Sequence, residues 1–513
     1  MPNPNVVIFH TSHQRYDSLG CTGNSFVRTP HIDRLAAQGT LFARHIAAST
    51  SGMSSRASLF TGLYPPGHNV WTNGVPLNRS AYTVTNPHGT PEPICPEPAT
   101  LADMFAGAGY DTVAFGKLHL TPNLAPVSYG YPETWSRWED GSLDDWHGPY
   151  YGFRHVEMTL GHGEQIYNLG HYAAWLRSEH PEFARKFARK FAREFAPVHE
   201  PLPPIPVLGN LHAFPLPAAL HNTAWLADRF CDYLRTRPTE NASPFFAFVG
   251  FPALHDPCMP SLDVLRDFEE IAVKEPVDPD GAAIQDTPLA STGIDVSGLT
   301  PEERRIVLRY TYATLYQIDA AIGQMVEALK QARLWENTIV IFTGDHGDFL
   351  CDHGRLYAGY APDDVLLHVP FILRVPASVL AGGRLPLRVE TPMSNSDVLP
   401  TLAALAGVTP PVWLQGTNMV DVVREKRSHV ALAFCANGQP EMTNYTVYDP
   451  TYRFTLYPRT GYVELYDHQE DPGECHNLAS HTDFQMHIAA MISAVQARLM
   501  QYHHPILARV SAW

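Results

Sequence analysis

Hydrophobic positions along this chain fall into short unbroken runs separated by longer stretches of helical spacing. Asn5 to Phe9 is a β-branched run, apolar at nearly every position, which reads as a strand buried on both faces. Asp111 to Phe115 and Phe245 to Gly250 have the same character, and Thr338 to Thr343 (TIVIFT) is the clearest strand of all. Helices are predicted around His31 to Gln38, from Arg56 to Thr61, over Thr223 to Arg235 and over Arg305 to Ala332. Strands alternating with helices imply an α/β fold, with a large mixed, mainly parallel sheet sandwiched by helices. Ligands bind such sheets beyond the carboxyl ends of the strands. The segments just after Phe9, Phe115, Gly250 and Thr343 are therefore predicted to carry the chemistry.

Two stretches interrupt the pattern. Glu200 to Pro217 is proline-rich and reads as an irregular excursion. Before it, FARKFARKFAREF places Phe183, Phe187, Phe191 and Phe195 four residues apart, an aromatic stripe flanked by Arg and Lys if helical. Such a helix packs its aromatic face on the body, or serves as an oligomer contact or a lid. A membrane-surface role ranks last, because one such helix anchors weakly. Near the end, Tyr452 to Tyr457 and Gly461 to Tyr466 alternate around a turn and predict an antiparallel hairpin. The expected organisation is a domain over 1–418, with an insertion around 150–217, followed by a smaller C-terminal α+β domain over 419–513.

Composition narrows the function classes. With 513 residues, 45% hydrophobic and 17% charged, the chain can bury a substantial core. A formal net charge of −16 disfavours non-specific binding to nucleic acid or to an anionic membrane. No apolar run approaches the roughly 20 residues of a membrane span. The seven cysteines are scattered, odd in number and free of CxxC spacing, against a zinc ribbon or disulfide framework. With no signal-like leader, these features point to a cytoplasmic protein.

Polar clusters follow four of the predicted strands: His10 to Arg15, Gly116 to His119, His255-Asp256-Pro257, and Gly344 to Asp348. A serine-rich loop, Ser49 to Arg56, opens a helix, and a helix start beside an arginine is a natural anion site. One Lys or His at a strand end is more often structural than catalytic. Their joint occurrence at successive strand ends points to a tetrahedral oxyanion held near a metal.

Ordered along the chain, these motifs resemble the sulfatase family of the alkaline phosphatase superfamily. Gln14 to Phe42 is similar to the family's opening segment, Ser55 to Pro65 to the helix after its nucleophile loop, and Gly109 to Leu120 to its second signature. Thr343 to Gly354 resembles the metal-binding turn, while Ser396 to Gly407 and Glu464 to Ala479 resemble C-terminal signatures. LGHG (Leu160 to Gly163), GHY (Gly170 to Tyr172) and NGVPL (Asn73 to Leu77) resemble the branch of choline sulfatases and phosphonate monoester hydrolases. The resemblance implies a divalent cation, a formylglycine nucleophile made from Cys or Ser, and basic residues around the sulfate. Asp345 and His346 match metal-site residues, Arg56 the arginine that steadies the nucleophile, and Lys117, His119 and His255 the anion-binding and leaving-group residues. Asn73 and His221 are further candidates for substrate binding.

The departures concentrate in one mechanism. Counting back from Arg56, the nucleophile position is Gly52, which has no side chain to oxidise or to attack with. Ser54 replaces the motif's proline, Ser12 replaces the aspartate ending the first strand, and His13 replaces its neighbour. The Lys expected after Gly354 falls on Ala358 or a neighbour. A set of His13, Asp345 and His346 suits Zn²⁺, Mn²⁺ or Fe²⁺ better than Ca²⁺. The leading expectation is a metal-dependent hydrolase of sulfate, phosphate or phosphonate esters without formylglycine, acting through metal-activated water or through Ser51. The alternatives are an anion-binding protein without turnover and an enzyme with repurposed, non-hydrolytic chemistry. The expected partner is a small anionic ester or ligand, with no nucleic acid and no membrane, and a homo-oligomer remains open.

Overall fold

The computed structural model describes residues 3–78, 83–85, 91–93, 99–139, 141–183, 211, 214, 217–238, 242–380, 383–411, 413–436 and 438–501. Its main sheet has nine strands. From one edge the order is Arg388–Val389, Thr40–Ile46, His368–Arg374, Thr338–Gly344, Asn5–Thr11, Phe245–Gly250, Asp111–Gly116 and His155–Glu157, with Met393–Ser394 also paired to Thr40–Ile46. Only His368–Arg374 runs antiparallel to its neighbours. All other pairs in this sheet are parallel.

The unbroken apolar runs bury both faces of the sheet. In Asn5–Thr11, Val7 and Phe9 enter one core and Val6 and Ile8 the other. In Phe245–Gly250, Phe245, Ala247 and Val249 face the first core, and Phe246 and Phe248 the second. This is the two-residue side-chain period of a strand covered on both sides. Helices Pro30–Gln38, Asn222–Thr236 and Pro301–Gln331 cover the first face with Leu35, Phe230 and Ile318. Helices Gly52–Thr61, Leu101–Gly107 and Val398–Ala406 cover the second with Phe60, Phe105 and Leu399. The fold is the expected α/β sandwich.

Ala431–Cys435, Asn444–Tyr448, Tyr452–Tyr457 and Tyr462–Asp467 form a separate four-stranded antiparallel sheet. One face packs on helix Gln485–Gln501 through Phe434, Phe454, Ile488 and Met491. The other meets the main sheet at Ile46 and Val369. The expected hairpin is its last pair of strands. The helix expected from Arg56 begins four residues earlier, at Gly52, so Gly52 to Ser55 form its first turn while Ser49 to Ser51 precede it. Of the aromatic stripe only Phe183 is described, half-buried at the end of a helical turn; Phe187, Phe191 and Phe195 lie outside the described residues. Among the described residues no helix is long and apolar enough to cross a membrane.

Candidate active site

The four strands that end in polar clusters are neighbours: Thr338–Gly344, Asn5–Thr11, Phe245–Gly250 and Asp111–Gly116. Their backbones stay paired beyond the strands. Phe251 N–H donates to His10 O at 2.7 Å, Leu254 N–H to Ser12 O at 2.6 Å, Asp345 N–H to Thr11 O at 3.2 Å and Lys117 N–H to Gly250 O at 2.8 Å. A Cβ on Gly116 would lie 2.1 Å from Gly250 O, so a side chain there would force these two strand ends apart. The continued pairing carries His13, Lys117, His255 and Asp345 into one cluster.

Arg56 and Asp345 form its buried centre. Arg56 Nε donates to Asp345 Oδ2 at 3.0 Å, Nη2 to Ser12 Oγ at 2.8 Å and Nη1 to Lys117 O at 3.1 Å. Asp345 Oδ1 accepts from the backbone N–H groups of His13 and His346, at 3.0 and 2.9 Å. Burial opposes the carboxylate charge, but Arg56 and the surrounding cationic groups hold its pKa well below the usual range. The Lys117 ammonium is pushed down to about 8 by burial and by Arg56.

Gly52 faces this centre. A Cβ on Gly52 would meet Asp345 Oδ2 at 3.5 Å, His346 Nε2 at 3.6 Å and His119 Nδ1 at 3.7 Å. These are ordinary contact distances, so neither packing nor a left-handed backbone requires glycine here. His346 Nδ1 lies 2.9 Å from Gly347 O. A carbonyl can only accept, so Nδ1 carries a proton, and in the neutral ring the lone pair is left on Nε2, the atom that faces Gly52. Among the described residues the buried His119 Nδ1 has no hydrogen-bond partner.

Histidines line the remaining wall. His13 lies 4.5 Å from His346 and 4.0 Å from His255 between ring centroids, and His255 stacks on His162 at 3.7 Å. His13 Nδ1 lies 3.0 Å from Asp348 Oδ2, and His255 Nδ1 lies 3.0 Å from Asp256 Oδ1. Burial, then His346, holds His13 well below its ordinary pKa; burial, then His13, lowers His255 to about 4. These imidazoles are neutral at pH 7. His13 and His119 have φ of +53° and +55°, a left-handed conformation that costs non-glycine residues roughly 1–3 kcal/mol and clusters at functional sites.

The other predicted residues are placed differently. Ser51 holds the N-cap position without a side-chain bond to the helix; its Oγ donates to Asn73 Oδ1 at 2.9 Å, and that amide oxygen also accepts from Met53 N–H. An amide oxygen is no general base, so nothing in this contact activates Ser51. His221 caps helix Asn222–Thr236: Nδ1 accepts from Thr223 N–H and Nε2 donates to Met259 O. Both its ring nitrogens are thereby engaged by backbone. Four participants were not singled out from the sequence, the first being Asp256, which pairs with His255. His162 stacks on His255, and Asp348 orients His13. Glu133 accepts from the backbone N–H groups of His119, Leu120 and Thr121. His162 lay within the LGHG resemblance and Asp348 within the Gly344 to Asp348 cluster; Glu133 had no signal.

An α/β sandwich whose strand ends gather Arg, Lys, His and Asp around the start of a helix defines an oxyanion-ester type of site. This chain belongs to the sulfatase family, in the alkaline phosphatase superfamily: residues 4–408 match the Sulfatase profile. Residues 361–503 match the profile of the C-terminal region of N-sulphoglucosamine sulphohydrolase. The chain is 25% identical over 496 residues to an arylsulfatase of Clostridium perfringens, covering 94% of this chain and 92% of that protein. It is 26% identical over 422 residues to the multifunctional alkaline phosphatase superfamily protein PehA of Trinickia caryophylli, covering 78% and 72%. Among solved structures, the phosphonate monoester hydrolase of Agrobacterium radiobacter superposes with a TM-score of 0.73 at 24% identity, over 97% of this chain and 96% of that one.

Proposed function

We propose that this protein hydrolyses small sulfate, phosphate or phosphonate esters with water as the attacking group, aided by a divalent metal ion. The observation that carries the reading is the orientation of Gly52 toward Asp345, His346 and His119 at contact distance. The place that a nucleophilic side chain would take is framed by a buried carboxylate and two ring nitrogens, and the room left by the missing side chain is assigned to the water. The name of the arylsulfatase relative supports the sulfate-ester part of this class.

Formylglycine does not fit, because position 52 has no Cβ, and no step runs through it. Ser51 is a poor substitute while its proton is given to Asn73. The water is oriented instead by neutral His346 Nε2, which takes its proton as the new oxygen bond to sulfur or phosphorus forms. The bond to the ester oxygen breaks, and the alcohol leaves as its anion and gains a proton from solvent. Lys117 in its ammonium form attracts the ester's anionic group.

The residues also fit a divalent ion. One ring nitrogen each of His13 and His255 and one Asp256 carboxylate oxygen lie within 4.8 Å of one another, whereas the set expected from the sequence, His13 with Asp345 and His346, is not gathered in this way among the described residues. Neutral imidazoles beside ionised carboxylates favour Zn²⁺, Mn²⁺ or Fe²⁺ over Ca²⁺. Such an ion would polarise an ester oxygen and offset the charge developing on it.

The test is turnover of p-nitrophenyl sulfate, p-nitrophenyl phosphate and a phenylphosphonate ester by chelator-treated protein, with and without added Zn²⁺ or Mn²⁺. Metal-stimulated release of nitrophenol or phenol from one of them is expected. Sulfate or phosphate binding without turnover of any ester would replace this reading with that of an anion-binding protein.

A further inference from the structure

We propose that the metal ion sits on His13, His255 and Asp256, displaced from Asp345 toward His162. The inference rests on the metal-dependent reading above and names the ligands. One ring nitrogen each from His13 and His255 and one Asp256 carboxylate oxygen all lie within 4.8 Å of one another. Tetrahedral coordination at about 2.1 Å puts donors about 3.4 Å apart, so modest side-chain movement closes the site.

Three features separate this set from the neighbouring one. First, His13 is already oriented as a ligand. Its Nδ1 is held by Asp348 Oδ2 at 3.0 Å, and Asp348 Oδ1 is itself fixed by the N–H groups of Leu350 and Tyr357, each at 3.0 Å. A carboxylate behind the remote nitrogen of a histidine is the usual support of a metal-bound imidazole. Second, the Asp345 carboxylate is occupied by the guanidinium of Arg56 and two backbone N–H groups. A dication there would stand beside a buried cation that cannot lose its proton. Third, no arginine among the described residues pairs with Asp256. Its partner is His255, and His162 closes the far side of the His255 ring by stacking. Replacement of the strand-end carboxylate by Ser12 fits the same displacement: Ser12 Oγ accepts from Arg56 rather than standing ready as a hard oxygen ligand.

The division of labour follows. Asp345 and Arg56 organise the strand ends, His346 faces the water beside Gly52, and the ion stands against His13 on the other side. The donor set of two nitrogens and one oxygen selects a mid-row transition metal or zinc, and leaves coordination positions for an ester oxygen.

The experiment is calorimetric titration of full-length, chelator-stripped protein with Zn²⁺ and with Mn²⁺, checked by elemental mass spectrometry after gel filtration. The variants are His255→Gln, Asp256→Asn and His346→Gln, none of which removes a partner of Arg56. About one ion per chain is expected, with affinity at least tenfold lower in His255→Gln and in Asp256→Asn and within about threefold of the parent in His346→Gln. Circular dichroism confirms that each variant is folded. Loss of the ion in His346→Gln, with parental affinity in the other two, would return the metal to the Asp345 side and overturn the proposal. So would a parent protein that binds neither metal. Binding is read without turnover, so a bound ion on these ligands in a protein that cleaves no ester would leave the metal site standing and remove only the hydrolase reading.

Discussion

Arg56 Nε donates to Asp345 Oδ2 at 3.0 Å, and both side chains are almost completely shielded from solvent, at 0% and 1% exposure. The same guanidinium reaches Ser12 Oγ and Lys117 O, so one side chain joins three strand ends. Removing one partner of such a pair leaves an uncompensated buried charge, at a cost of about 3–5 kcal/mol. Arg56→Met should lower unfolding stability by that amount in urea titration. Arg56→Lys should recover only part of it, because an ammonium lacks the planar fork that serves three acceptors. A loss below about 1 kcal/mol in Arg56→Met would mean that Asp345 is satisfied by backbone N–H groups alone.

Gly52 opens its helix with an ordinary backbone, and a Cβ there touches nothing closer than 3.5 Å. Gly52→Ala should therefore fold normally, within about 1 kcal/mol of the parent by thermal or urea unfolding. Its methyl group takes the place assigned to the attacking water, so turnover should fall at least tenfold, by about 1.4 kcal/mol or more of barrier. Full activity in a folded Gly52→Ala protein would show that the attacking group comes from elsewhere.

Lys117 gives the site a pH signature. Burial, and then Arg56, lower its ammonium from 10.5 to about 8 in the folded chain. The cationic form prevails below that value, so inorganic sulfate, whose own charge is constant from pH 6 to about 10, should bind more weakly as pH rises through about 8. The stability effect has the opposite sense. Between about 8 and 10.5 the unfolded chain holds the proton that the folded chain has released, so this group's contribution to stability rises with pH. The penalty is complete below about 8 and gone above 10.5. Sulfate affinity by calorimetry and urea midpoints at several pH values, each compared with Lys117→Met, check both signs. Parallel profiles in the two proteins would remove Lys117 from the anion site.

How far the sequence reveals this arrangement depends on where the signal sits. The four central strands are legible because each is an unbroken apolar run ending in polar residues, and the observed site lies at those ends. His368–Arg374 escaped the reading, although it is central, because Pro370 interrupts it and proline is confined to edges and bulges. The structure resolves that conflict: the pairing register with Thr40–Ile46 shifts between Val369 and Phe371, so Pro370 falls out of the ladder. Gly52 stands out only through its distance from Arg56, since no local pattern marks a missing side chain. His162 and Glu133 lie in irregular segments, and their positions depend on packing against distant loops that no periodicity records. Asp256 sits in a His-Asp-Pro turn that looks the same whether it serves a turn or a metal.

Glu133 is the clearest test of what those loops contribute. Its carboxylate accepts from three consecutive backbone N–H groups, those of His119, Leu120 and Thr121, and from Tyr150 Oη at 3.0 Å. It thereby holds His119 in a left-handed conformation, with Nδ1 toward Gly52. Glu133→Gln keeps the shape but replaces one acceptor oxygen with an NH₂ donor that faces N–H groups. A buried mismatch of this kind costs about 1–3 kcal/mol, and the relaxed loop should release His119. Turnover should fall in kcat, while zinc affinity at His13, His255 and Asp256 stays within about threefold, because His119 is no part of that set. Calorimetry on the same preparation separates the two effects. Parallel losses of metal and turnover would instead show that the loop supports the whole wall of the cleft, with His119 holding no separate place in it.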